Sequence, residues 1–216
     1  MLDFAFLPFL ISLVITAFAI PIIIKVADLK HLMDEPDQDR KVHQHKTPTL
    51  GGVAIFAGTL FSFSSFMDYH KLNEVTFLIP ALVLLFFAGI KDDILILSPI
   101  KKLLVQIFCA GLITILGDLR LTSLWGIFEI SEISPTTGVI LTLLLIVTLI
   151  NAFNLIDGVN GLAACLGTVA AVFFGSWFTL TGAYTYSILS YSLAGALVGF
   201  LYFNIKPAKI FMGDTI

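Results

Sequence analysis

Long apolar runs separated by short polar gaps set the pattern of this chain. The runs lie at roughly 4–24, 51–67, 75–90, 103–117, 136–153, 162–181 and 187–203, each approaching the ~20 residues that carry a helix across a bilayer. They predict an all-α polytopic bundle of about seven spans, with 1–216 forming one integral-membrane domain. Several runs are short for a full crossing, which puts their ends in the headgroup region or in protein-lined cavities. The first run is too long for a signal peptide and lacks a basic leader and a small-residue cleavage site, so it reads as the first span. Neither a solenoid period nor a transporter-like inverted repeat is evident.

Composition agrees with this pattern. At 58% hydrophobic and 12% charged, the chain carries about half the charge of an average soluble domain. The net charge of −3 says little about partners in a membrane chain; with no basic tail for nucleic acid, none is expected, and the lipid bilayer is the surroundings that matter. Cys109 and Cys165 both fall in apolar runs and read as packing residues rather than a disulfide framework.

Lys and Arg then set the orientation. Ten of the twelve lie in odd-numbered gaps between runs: Lys25, Lys30, Arg40, Lys41 and Lys46, then Lys91, Lys101 and Lys102, then Lys206 and Lys209. Only Lys71 and Arg120 lie in even gaps. Basic loops stay in the cytoplasm, so the N-terminus is expected outside and the odd gaps inside. Parity then brings Asp92, Asp93, Asp157 and Asp214 to one cytoplasmic boundary. No carboxylate falls mid-span, which argues against a proton relay through the bilayer.

Carboxylates after a helix C-terminus oppose its dipole, and neighbours repel, so Asp92-Asp93 calls for a positive group nearby. Successive helical residues point about 100° apart. One carboxylate can therefore face a metal while the other faces a substrate; a solvated helix end compensated by Lys91 is the plainer alternative. Ser98-Pro99 reads as an N-cap and first helical residue, and Lys101-Lys102 as membrane-surface anchors or phosphate ligands. Asn151, Asn154 and Asp157 recur every three residues and share a helix face. Their oxygens suit Mg²⁺, which keeps several waters and takes only one or two carboxylates. The bland reading of the same residues is interhelical hydrogen-bond glue. Asp157-Gly158 and Asn160-Gly161 can leave the helix and free amide N–H groups for an anion. In the first inner loop, Arg40, Lys41 and Lys46 suit an anionic donor or serve as topology signals, whereas His43 and His45 alone make a poor zinc site. Met212-Gly213-Asp214 is a further acidic site, weak by itself.

Four motifs in this order resemble those of the polyprenyl-phosphate N-acetylhexosamine-1-phosphate transferases of glycosyltransferase family 4. They are Asp34-x-Pro36 with Arg40-Lys41-x-His43 and Pro48-x-x-Gly51-Gly52; Asp92-Asp93; Asn151-x-x-Asn154-x-x-Asp157-Gly158-x-x-Gly161-Leu162; and Met212-Gly213-Asp214. The resemblance implies transfer of a phospho-N-acetylhexosamine, foremost GlcNAc-1-phosphate, from a UDP-sugar to undecaprenyl phosphate, with release of UMP. It implies Mg²⁺, or Mn²⁺ in its place, an active face on the cytoplasmic side of a bacterial inner membrane, and a role in starting a cell-envelope polysaccharide. The first loop is more similar to the O-antigen, enterobacterial common antigen or teichoic-acid linkage branch than to the peptidoglycan translocase branch.

By that resemblance Asn154 and Asp214 hold the metal, and Asp157 orients donor or metal-bound water. Asp92 or Asp93 meets the lipid phosphate, while Arg40, Lys41, His43, Lys46, Asn151, Gly158 and Asn160 bind substrate. Ile96 stands where the family often carries an Asp, or a Lys in the translocase branch, and Asn160 where many relatives have Asp. Relatives also continue beyond Asp214 into a Gly-Ser pair and further spans, so the C-terminal part of the family fold is expected to be absent. An inactive fragment, or a membrane transporter, is the competing expectation, and a homodimer is left open.

Overall fold

The computed structural model describes residues 2–30, 47–95, 97–129, 131–205 and 207–213. Seven α-helices follow in chain order: α1 Leu2–Leu29, α2 Gly51–Phe66, α3 Leu78–Leu95, α4 Pro99–Gly111, α5 Pro135–Ile156, α6 Leu162–Leu180 and α7 Tyr184–Asn204. A π-helical turn, Leu112–Leu116, extends α4. Among the described residues, five helical segments are long and apolar enough to cross a membrane. A sixth is counted if α3 and the 3₁₀ stretch Tyr69–Val75, which meet at 61°, form one span. The 16-residue α2 is apolar but shorter.

Helix α7 is the centre of the bundle, with half of its apolar window buried, against 6% for α5. It packs on α1, α2 and α6, while α3, α4 and α5 associate mainly with one another. Lipid tails are as apolar as Leu, so helices in a membrane gain most where small residues let backbones approach. A Cβ added at Gly195 would sit 2.0 Å from the Phe9 carbonyl oxygen, and one at Gly199 2.8 Å from that of Leu13. Polar side chains fasten the neighbouring α1–α2 crossing: the Ser62 hydroxyl donates to the Pro8 carbonyl at 2.6 Å, and Thr16 to that of Ala54 at 3.3 Å.

The main core joins Ile20, Ile55, Ala164 and Phe200 to Ile210 and Met212. The segment that follows α7 is thus packed into one end of the bundle. A second apolar cluster, Phe63, Met67, Val75 and Ile188, closes the α2–α7 contact towards the far end of those helices.

The helix ends differ from the apolar runs in instructive ways. The third run stops near residue 90, yet α3 continues to Leu95, placing Lys91, Asp92 and Asp93 inside the helix rather than after it. Backbone hydrogen bonding does not depend on side-chain polarity, and a partner for Asp92 is at hand. Helix α4 starts at Pro99 rather than near 103, as the Ser98-Pro99 pair predicts, although the Ser98 side chain makes no capping bond. Cys109 is buried as expected of a packing residue, whereas Cys165 is exposed on α6; neither is in a disulfide.

Candidate functional site

Past α7 the chain turns back, with the Lys209 N–H bonded to the Phe203 carbonyl at 2.9 Å, and then runs beside residues 48–52. The Phe211 N–H donates to the Pro48 carbonyl at 2.8 Å. In return the Gly51 and Gly52 N–H groups donate to the Phe211 and Met212 carbonyls at 2.9 and 2.8 Å. The first N–H groups of any helix lack partners within it. At α2, whose N-cap Leu50 offers no side-chain acceptor, two of them are satisfied by residues 211 and 212.

Asp157 lies just beyond α5. Its Oδ2 accepts hydrogen bonds from the backbone N–H groups of Met212 and Gly213, both at 3.1 Å. Gly213 adopts a left-handed φ of +79°, and a Cβ there would fall 1.9 Å from the Thr49 carbonyl oxygen and 2.7 Å from Asp93 Oδ2. Asp93 and Asp157 therefore press on the same glycine, one through its α-carbon and the other through its N–H. Asp214, covalently next, lies outside the described residues, as do Arg40, Lys41, His43 and Lys46.

Asp92 faces elsewhere. Its Oδ2 pairs with Lys102 Nζ at 3.1 Å, and its Oδ1 accepts the Leu97 N–H beyond the end of α3 at 2.5 Å. Lys102 is the positive group that carboxylates at a helix C-terminus require. The pair borders a small cavity of about 50 Å³ between α3, α4 and α5, also lined by Gln106 and Asn154. That is room for a water or a bare cation. Asn151 is taken up by α4: its Nδ2 donates to Gln106 Oε1 at 2.7 Å and to the Val147 carbonyl at 2.8 Å. Asn160 Oδ1 is buried and has no hydrogen-bond partner among the described residues. Gly158 lies in the exposed turn between α5 and α6.

The shared helix face of Asn151, Asn154 and Asp157 thus serves three destinations: α4, the Asp92 cavity and the 212–213 segment. Among the described residues no three His, Cys, Asp or Glu side chains converge on a closed metal site. An open oxygen-rich site completed by water and phosphate is the arrangement Mg²⁺ favours.

The family model described as glycosyl transferase family 4 matches residues 75–216. The chain belongs to this family. Similar members include a probable undecaprenyl-phosphate N-acetylglucosaminyl 1-phosphate transferase of Bacillus subtilis (strain 168), 33% identical over 96% of this chain and 57% of that protein. The undecaprenyl-phosphate alpha-N-acetylglucosaminyl 1-phosphate transferase of Escherichia coli (strain K12) is 32% identical over 88% of this chain and 53% of its own length. A phospho-N-acetylmuramoyl-pentapeptide-transferase of Streptococcus uberis (strain ATCC BAA-854 / 0140J) is also 32% identical, over 95% of this chain and 67% of its own. The chain spans a little over half the length of the first two.

Within this family 4 chain, the sequence reading passed over Gln106 and Asn204. Both are polar residues in apolar runs, 3% and 1% exposed. That isolation was the available signal, since a buried amide is retained only where it finds partners. Lys102 and Asp92 both stand out in the sequence, but nothing there pairs them across ten residues. Loss of the Lys102 charge removes an ion-pair partner of Asp92 at a largely buried position. Lys102→Met is expected to lower thermal stability, and Asp92→Asn in the same chain to restore part of it. A double-mutant cycle on melting should give a coupling of about 1–3 kcal/mol.

Proposed function

We propose that this protein transfers a phospho-N-acetylhexosamine, foremost GlcNAc-1-phosphate, from a UDP-sugar to undecaprenyl phosphate, releasing UMP at the cytoplasmic boundary of a bacterial inner membrane. The observation that carries the reading is the convergence of Asp93 and Asp157 on Gly213, immediately before Asp214. Two acidic motifs thus meet the residue that precedes the third, which supports a reaction between a soluble anion and a lipid anion. The names of the family relatives support the substrate classes.

In this transfer an oxygen of the lipid phosphate attacks the phosphorus that bears the sugar. The bond from that phosphorus to the oxygen bridging it to the nucleoside phosphate breaks, and UMP leaves with the electron pair. Phosphoryl transfer asks a protein chiefly to position two anions and to offset their charge. Asp93, beside Gly213, is placed to orient the lipid phosphate or to take its proton when the monoester is singly charged; the dianion, dominant above a second pKa of about 6, needs no base. Asp92 is held by Lys102 and the Leu97 N–H. Asp157 fixes the backbone of Met212 and Gly213 that leads to Asp214, and Asp214 with Asn154 would hold Mg²⁺. The unpartnered Asn160 oxygen supplies a further hard donor fitting such an ion. Mg²⁺, when bound, offsets charge on the donor pyrophosphate.

The test is UMP release from UDP-GlcNAc and undecaprenyl phosphate by membranes containing the protein. Release is expected to be lipid-dependent, to vanish with EDTA and to return with Mg²⁺. Failure to form UMP or a lipid-linked sugar with any UDP-N-acetylhexosamine would overturn the reading.

A further inference from the structure

We infer that Asn204 is a positioning residue that fixes the register between the Asp157–Gly161 turn and the segment 210–213. It is the last residue of α7 and 1% exposed. Its Oδ1 accepts the Gly161 N–H at 2.8 Å, and its Nδ2 donates to the Ile210 carbonyl at 2.8 Å. Gly161 stands at the start of α6 with no side-chain cap, so its buried N–H depends on this amide. Ile210 is fully buried in the core, so its carbonyl does too.

The turn and the segment are tied at two places. Asp157 joins them at Met212 and Gly213, and Asn204 joins them at Gly161 and Ile210. One tie permits pivoting; two fix the relative position of Asp157 and Asn160 on one side and of Gly213 on the other. Only a carboxamide fits between an N–H and a carbonyl. Aspartate offers the acceptor but no donor when ionised, and leucine offers neither. The catalytic consequence rests on the transfer reading, in which a misplacement of about 1 Å costs about 100-fold in turnover.

The test combines hydrogen exchange with kinetics on Asn204→Leu and Asn204→Asp in the intact protein. Asn204→Leu is expected to speed amide exchange at Gly161 and across 209–213, leaving α1 to α5 protected. UMP release should fall about 100-fold in kcat with KM for undecaprenyl phosphate little changed. Asn204→Asp should keep protection at Gly161, lose it across 209–213 and give intermediate turnover. Exchange rising equally through α1, α2 and α7 would mark a residue of general stability and overturn the inference, as would wild-type turnover in both variants. Should the unaltered protein release no UMP, the transfer reading fails while the exchange pattern still decides the clasp.

Discussion

Gly213→Ala is expected to abolish transfer, with UMP release falling by at least about 100-fold, and to lower the melting temperature. The φ of +79° already costs an L-residue roughly 1–2 kcal/mol. The methyl would also lie 1.9 Å from the Thr49 carbonyl oxygen and 2.7 Å from Asp93 Oδ2. Thr49 cannot retreat, because Pro48 on one side and Gly51 on the other are bonded to Phe211. Relief must come from the segment itself, which breaks its N–H bonds to Asp157. Gly111→Ala is the control: a Cβ there meets nothing within 4 Å, and alanine is the better helix former by about 1 kcal/mol. Activity assays with thermal melting of both variants decide the matter; an active Gly213→Ala enzyme would show that Asp93 and Asp157 need not share this glycine.

Asp157→Asn is expected to have an effect of similar size for a different reason. The carboxylate accepts two backbone N–H bonds on one oxygen, and a charged acceptor makes bonds roughly twice as strong as a neutral one. The amide keeps the shape and loses the charge, so kcat should drop by about 100-fold or more. Limited proteolysis should find the segment 205–213 cut faster than in the unaltered protein. A residue that touched only the donor would leave proteolysis unchanged, so the two measurements separate anchoring from substrate contact.

Much of the architecture was legible in the apolar pattern, because a bilayer demands long self-satisfied helices. The grouping of acidic motifs at one boundary was legible too: counting spans by parity puts Asp93 and Asp157 on a common side, and the structure brings both to Gly213. The end of α3 was not, since hydropathy falls at Lys91 while the helical hydrogen bonds continue to Leu95. Nor was the pairing of residues 48–52 with 211–213. Backbone bonds between segments some 160 positions apart leave no mark on side-chain identity beyond an isolated proline or glycine. Side-chain destinations were least legible. Three residues on one helix face suited either a shared Mg²⁺ or interhelical hydrogen bonds; Asn151 is bonded across to Gln106 on α4 while Asp157 reaches the 212–213 backbone, because neighbouring elements approach that face from different sides.

The peptide groups at residues 211–213 are bonded at both ends. The group between Phe211 and Met212 accepts from Gly51 through its oxygen and donates to Asp157 through its nitrogen, and the group between Met212 and Gly213 does the same from Gly52. Hydrogen bonds in such chains polarise one another, and the N-terminus of a helix carries about half a positive charge. Two parallel peptide relays thus carry the field of α2 onto the Asp157 carboxylate. The charge that steadies this acid at the membrane boundary is in part a backbone charge, which neither titrates nor diffuses away.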